Sequence, residues 1–326
     1  MIPKVVTFIL PHQRPTSGGV YAMSELVRAL SLHHEIHLVT NKGKPHSVGN
    51  ASARLCKSLD PEELPDADVI IINIDTVLGE RVTSLPETKG KPIFYFQGYG
   101  VPNSPMVISN LKRRKPVIAC SRWLAAEAQK YGSPARYVGH GLDRKIFYVD
   151  PNVIRRDYRV VMMTHPVDWK GTADGVQALS QVRHQFPQVE VQLFGTLDTG
   201  FSTEFVEAPS RSVVGAIMRK ATIFVCSSWE EGFGMPGLEA IACGSALVTT
   251  DTKGGRDYAI HRETALVSPP RNPEALAENI LKLLDDRLMR ERFYYNGIQL
   301  VTSQYPSWED AAAIFWEAIL DLVDKH

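Results

Sequence analysis

Residues 227–240 read Ser227-Ser228-Trp229-Glu230-Glu231-Gly232-Phe233-Gly234-Met235-Pro236-Gly237-Leu238-Glu239-Ala240. They follow the apolar run Thr222–Cys226, which reads as a buried strand, and they open a helix, with Pro236 suited to a first helical turn. The glycines let the backbone approach a ligand closely. A helix start here would offer unpaired N–H groups and the positive end of its dipole to a phosphate. Glu231 falls on the loop and Glu239 about one turn into the helix. Carboxylates flanking a phosphate cradle make electrostatic sense if they accept hydrogen bonds from hydroxyls, such as those of a sugar. A plain tight turn with a solvated Glu239 shares the same outward pattern, so the stretch alone leaves both readings open.

The strand–loop–helix pattern extends in both directions. Val5–Leu10 is an uninterrupted apolar run, as in a strand covered on both faces. A loop, Gly18-Gly19 and a helical face of Val20, Met23, Val27 and Leu30 come next. Further strands are expected at Ile36–Val39, Val69–Ile74, Ile93–Phe96 and Val117–Cys120, with a helix over Arg122–Tyr131. A second series runs Val160–Met163, Thr172–Phe186 (helix), Val189–Phe194, Ser212–Lys220 (helix), Thr222–Cys226, Gly237–Cys243 (helix), Ala246–Thr249 and Pro273–Asp286 (helix). Trp308–Val323 reads as a last helix. Such alternation predicts an α/β protein of two doubly wound, Rossmann-like domains, 1–150 and 151–306, hinged near 148–156. In such sheets ligands sit beyond the carboxyl ends of the strands.

The 326 residues carry 36 Lys and Arg against 36 Asp and Glu. Zero net charge argues against a nucleic-acid-coating protein. The balance is a cancellation, since residues 1–150 are net +6 and residues 151–326 net −6. Cys56, Cys120, Cys226 and Cys243 are too far apart for a C-x-x-C pair, and reduced thiols are expected. The first apolar run is too short for a signal peptide, and no stretch approaches the roughly 18 apolar residues of a membrane span. The expectation is a soluble, cytoplasmic protein. There is no P-loop or complete dinucleotide fingerprint, and neither H-E-x-x-H nor another metal-ligand spacing occurs, so neither cofactor nor metal is expected.

Glu231 and Glu239 have the E-x7-E spacing, and with Gly232-Phe233-Gly234 and Glu239-Ala240 the segment resembles the signature of retaining glycosyltransferases of family 4, which have the GT-B fold. The resemblance implies two Rossmann-like domains with an interdomain cleft. It implies that Glu231 contacts the donor sugar, that Glu239 holds the nucleotide ribose, and that Gly234, Met235 and Pro236 at the helix start bind the diphosphate. Other segments resemble the family in its order. Ser17-Gly18-Gly19-Val20 is similar to the glycine-rich loop near donor phosphate and acceptor. Gly139-His140-Gly141-Leu142-Asp143 with Phe147 is similar to the segment closing the first domain, with His140 where Asn is common. Val248-Thr249-Thr250-Asp251 and Gly254-Gly255 resemble the strand and turn after the helix. Pro306-Ser307-Trp308 resembles the segment that returns to the first domain, so 307–326 is expected to join it.

Two departures bear on the chemistry. The family commonly has an Arg and a Lys that neutralise the leaving diphosphate. Here Thr164-His165-Pro166-Val167-Asp168-Trp169-Lys170-Gly171 keeps Lys170, suited to offset negative charge, but has His165 at the Arg position. Many relatives also have a His after the fourth strand of the first domain, and here Gln97 stands there. It can hydrogen-bond a sugar but cannot serve as a base. Some polysaccharide-building relatives, rhamnosyltransferase-like members among them, resemble this chain in having Gln there and a Trp-Lys-Gly segment like Trp169-Lys170-Gly171.

The implied activity is a retaining hexosyl or deoxyhexosyl transfer from a nucleotide-diphosphate sugar, with UDP, dTDP and GDP undecided, to an acceptor hydroxyl. The acceptor would be a glycan or lipid-linked molecule bound by the first domain, in bacterial surface polysaccharide or glycoconjugate assembly. A GT-B epimerase or phosphorylase, or a non-enzymatic sugar-binding protein, is the alternative. Lys112-Arg113-Arg114-Lys115 reads either as a solvated helix end or as a contact with the inner face of an anionic membrane.

Overall fold

The computed structural model describes residues 3–10, 18–41, 45, 47–155, 157–202 and 204–324; the loop His12–Ser17, with Ser17 of the glycine-rich segment, lies outside them. The chain divides into two units, Met1–Gly141 with Pro306–His326, and Leu142–Tyr305.

The first unit runs β1 (Val5–Leu10), α1 (Gly18–Leu30), β2 (Glu35–Thr40), β3 (Ser52–Leu55), β4 (Val69–Asn73), α2 (Gly79–Thr83), β5 (Lys91–Phe96), α3 (Pro105–Leu111), β6 (Val117–Ala119), α4 (Arg122–Lys130) and β7 (Ala135–Tyr137). Its strands form a seven-stranded sheet in the order β3-β2-β1-β4-β5-β6-β7, with every pair parallel. The apolar runs of β1, β4 and β5 occupy the middle, where helices cover both faces and no polar alternation is tolerated. The edge strands β3 and β7 are short and largely exposed. An edge has little to bury, so neither carries an apolar run that marks it in the sequence.

The second unit runs β8 (Arg159–Thr164), α5 (Thr172–Gln185), β9 (Glu190–Gly195), β10 (Glu204–Glu207), α6 (Arg211–Lys220), β11 (Ile223–Cys226), α7 (Met235–Ala242), β12 (Ala246–Thr250), β13 (Ala265–Ser268), α8 (Pro273–Asp285) and α9 (Arg287–Gln304). Its six-stranded sheet has the order β10-β9-β8-β11-β12-β13, again all parallel. Val160, Met162, Leu193, Val225, Val248, Ile280 and Leu283 belong to its core. The sequence reading leaves α9 out, because its apolar residues are not gathered on one side and it buries only Phe293, Gly297, Leu300 and Val301.

The last helix, α10 (Trp308–Asp324), packs on the first unit. Phe315 lies edge-on to Tyr95, with centroids 5.3 Å apart, and Trp316 stacks on His34 at 3.5 Å. Trp308 approaches both Tyr21 and His140. Burial pushes the His140 imidazole down to about 3, so this residue is a neutral core group.

The break between units falls after Gly141, not at 150. Ile146–Tyr148 packs on α6. The Ile146 carbonyl accepts from Arg219 at 2.6 Å, the Arg219 guanidinium covers the Tyr148 ring, and that of Arg211 covers Phe147. Both sheets have the doubly wound order, which reverses between β1 and β4 in one and between β8 and β11 in the other. Those reversals open crevices at the carboxyl ends of the strands.

Candidate active site

The second reversal holds most of the residues singled out in the sequence. Leaving β11, the chain passes Ser227 and Ser228 and reaches Glu231, whose N–H donates to the Thr252 carbonyl at 2.9 Å. Its own carbonyl accepts from the Gly254 N–H at 3.2 Å. Only glycine fits at 254, since a Cβ would stand 2.4 Å from the Gly232 carbonyl oxygen and 2.5 Å from that of Glu231. The Gly254-Gly255 turn therefore clamps the Glu231 backbone.

Lys170 follows β8, and its Nζ donates to Glu231 Oε1 at 2.7 Å and Oε2 at 2.9 Å. The Ser228 hydroxyl donates to Oε1 at 2.7 Å. Gly171 makes this pairing possible. It has φ +61°, and a Cβ there would lie 2.0 Å from the Ser227 carbonyl oxygen, so the start of α5 can press against the exit of β11 only without a side chain. Burial pulls the Lys170 ammonium downward, and the Glu231 carboxylate more than offsets that, leaving it raised and charged.

His165 sits on the same loop. Burial lowers its imidazole and the nearby Lys170 charge lowers it further, against a smaller opposing effect of Glu231. Its Nδ1 accepts from the Val167 N–H at 3.1 Å, which puts the proton on Nε2. His165 is thus a neutral single donor, unlike the cation usual at that position in the resembled family.

Gly234, at φ +86°, precedes α7, whose first residues Met235 and Pro236 are partly exposed. The Tyr258 hydroxyl donates to the Gly234 carbonyl, and a Cβ at Gly237 would lie 2.6 Å from that hydroxyl. Tyr258 thereby fixes the turn, and no sequence pattern announced it. Deeper in α7, Glu239 is buried. Its Oε1 accepts from Arg211 Nη2 at 2.6 Å. Burial raises the Glu239 carboxyl, Arg211 opposes the rise, and Asp143 adds to it. Arg211 is the functional candidate that the sequence reading missed. Its partner lies 28 positions away and shares no motif with it.

Gly18, Gly19 and Gln97 form a separate group in the first unit. Gln97 Nε2 donates to the Gly19 carbonyl at 3.0 Å, and Oε1 accepts from Asn73 Nδ2 at 3.1 Å. A Cβ on Gly19 would meet Gln97 Oε1 at 3.1 Å. Gln97 thus uses one end of its amide on the start of α1 and the other on the end of β4. In the basic run, Arg113 donates to Glu80 at 3.4 Å and Arg114 lies beside Gly132, while Lys112 is exposed. Among the described residues no helix is long and apolar enough to cross a membrane.

Residues 150–300 match the family described as glycosyl transferases group 1. Over 95% of this chain and 84% of its own length, the capsular polysaccharide biosynthesis glycosyltransferase CapM of Staphylococcus aureus is 22% identical. Several other curated relatives match only in part, over 24% to 43% of their length. Sucrose-phosphate synthase from Thermosynechococcus elongatus superposes with a TM-score of 0.77 at 19% identity, covering 99% of this chain and 100% of that one. The Anabaena protein Alr3699/HepE, solved in complex with UDP-glucose, gives 0.78 at 14% identity, with 98% and 99% covered. These superpositions establish the fold as the two-domain GT-B arrangement of parallel sheets.

Proposed function

We propose that the chain, whose residues 150–300 match the glycosyl transferases group 1 family, is a glycosyltransferase that transfers a sugar from a nucleoside-diphosphate donor to a glycan or lipid-linked acceptor hydroxyl with retention of anomeric configuration. The work it does is bacterial polysaccharide assembly, the setting in which CapM is named. The observation that carries the reading is the Lys170–Glu231 pair at the reversal of the second sheet, beside the glycine-capped start of α7.

In this reading the pair is exchanged when donor binds. Lys170 turns from the Glu231 carboxylate to the diphosphate oxygens, where it offsets the charge that develops as the bond from C1 to the leaving oxygen breaks. Glu231, held by Ser228 and the Gly254 turn, then accepts from sugar hydroxyls. His165 Nε2 donates one neutral hydrogen bond. Glu239, with Arg211 on one oxygen, keeps the other for the ribose. The acceptor oxygen bonds to C1 on the face the diphosphate leaves, and its proton passes to a diphosphate oxygen.

Thermal-shift titration with UDP, dTDP, GDP and ADP tests this, because a ligand that binds only the folded chain stabilises it by mass action. Stabilisation by one of the four, lost in Glu239→Gln, is the expected result. No shift with any of them overturns the reading.

A further inference from the structure

At the reversal of the first sheet, the loop after β4 carries Asp75, a half-buried carboxylate. Its backbone N–H donates to Asn73 Oδ1 at 3.3 Å. Asn73, Gln97 and the Gly19 carbonyl form a closed amide chain that ties the ends of β4 and β5 to the start of α1. Gly100, on the loop after β5 with φ +69°, presses so close that a Cβ would lie 2.1 Å from Asp75 Oδ2. The backbone thus shields one side of the carboxylate. Burial raises its proton affinity, and no neighbouring charge contributes to the shift. No cation or hydrogen-bond donor among the described residues is paired with the Asp75 side chain, so a desolvated acceptor-only group stands at a ligand-binding edge. Two apolar side chains on the same two loops are exposed, Val77 at 83% and Val101 at 55%. A carboxylate on loops that also expose apolar carbon matches a saccharide, which offers hydroxyl donors on its rim and C–H groups on its faces.

We propose that Asp75 and the Val77 and Val101 loops form a saccharide subsite for the reacting end of the acceptor, selecting a neutral or amino sugar and rejecting a phosphorylated one. The assignment rests on the glycosyltransferase reading, since it makes the first unit the acceptor side. Hydroxyl or ammonium hydrogens supply the donors that the described residues do not bring to Asp75. A phosphate at the same distance meets like charge and brings no donor. Any phosphate of a lipid-linked acceptor must therefore lie away from this loop.

The test uses the full chain saturated with whichever of UDP, dTDP, GDP and ADP stabilises it, so that the second unit's anion site is filled. Methyl α-D-glucopyranoside, D-glucosamine and α-D-glucose 1-phosphate are titrated while saturation-transfer NMR is recorded. The wild type should bind the first two about tenfold more tightly than the phosphate. Asp75→Asn should weaken methyl glucoside severalfold and abolish any preference for glucosamine. Asp75→Ser, checked by circular dichroism, should do the same without the amide. Equal binding of glucose 1-phosphate to the wild type, affinities unchanged in both variants, or no binding of any probe each overturns the proposal. Failure of all four nucleotides to bind would strike the glycosyltransferase reading instead and leave the saccharide ranking at Asp75 readable.

Discussion

The two sheets reverse in the same way, β1 against β4 and β8 against β11, and in each a carboxylate follows the later strand. Glu231 in the second unit holds an ammonium and a hydroxyl. Asp75 in the first has neither among the described residues, only burial and the Gly100 backbone beside it. Identical topology thus makes two crevices of opposite electrostatic character. A paired site can give up its cation to an anion and keep its acceptor for hydroxyls, which suits a sugar diphosphate. An unpaired one accepts hydrogen-bond donors and repels phosphate. The fold supplies the crevice, and a few loop residues choose the ligand.

The pair in the second unit should show the largest effect. Lys170→Ala and Glu231→Gln should each lower kcat by about 10²–10³, the usual loss when one transition-state-stabilising group is removed. The double variant should lose little more than either single one, because the two groups act on one bound donor and their effects are not additive. Steady-state rates with the nucleotide sugar found by thermal shift read this out. A near-wild-type kcat in either single variant would break the contrast at its stronger end.

Arg211 tests whether the same device recurs one layer deeper. Arg211→Met removes the cation that opposes burial at Glu239, so the carboxyl rises further. The ionised form, present above the group's pKa, is lost as pH falls through it. Affinity for the nucleotide that stabilises the chain should drop about tenfold at neutral pH and recover as the solution is made alkaline. Calorimetric titration across the pH range checks it, and a pH-independent loss would mean that Arg211 touches the nucleotide directly.

Much of this was legible in the sequence, and the exceptions share a physical cause. Central strands are read because burial on both faces forces apolar runs such as Val69–Asn73. The second site is read because Gly171, Gly234 and Gly254 are demanded by contacts of 2.0 to 2.7 Å, and such contacts leave a local mark. Edge strands β3 and β7, the polar helix α9, Tyr258 and Arg211 leave none. Their roles depend on long-range packing, as the 28-residue separation of Arg211 and Glu239 illustrates. His165 was found by position, but its protonation state needed the Val167 N–H and the Lys170 charge. Gln97 was marked as a sugar contact, yet its amide is engaged within the first unit.

His165 should matter less than Lys170, because a neutral imidazole supplies a hydrogen bond and no charge. Burial and Lys170 depress its pKa, so it stays neutral through physiological pH and gains charge only in more acidic solution. His165→Gln should lower kcat by less than about tenfold, the range of a single neutral hydrogen bond. The pH–rate profile above neutrality should keep its shape. A loss equal to that of Lys170→Ala would show that the position carries charge in the transition state after all.

The smallest effect comes from the first unit and has the opposite sign. Asp75 has its folded-state pKa raised by burial, so above the ordinary carboxyl range the folded chain holds its charge at a penalty that the unfolded chain escapes. Its contribution to stability therefore worsens as pH rises from that range through the raised folded value. Asp75→Asn removes the charge and keeps the shape. Scanning calorimetry should show the transition that includes the first unit rising by about 2 °C at neutral pH, with no rise in acid, where the wild-type carboxyl is already protonated. Glu231→Gln should bring no such gain, since it discards a partner of Lys170 and leaves an ammonium facing a neutral amide. Stabilisation by the first substitution and not by the second would mark Asp75 as a charge kept for a ligand at the expense of the fold. Destabilisation at neutral pH would mean that the carboxylate is serving the fold, and the contrast between the two crevices would fail.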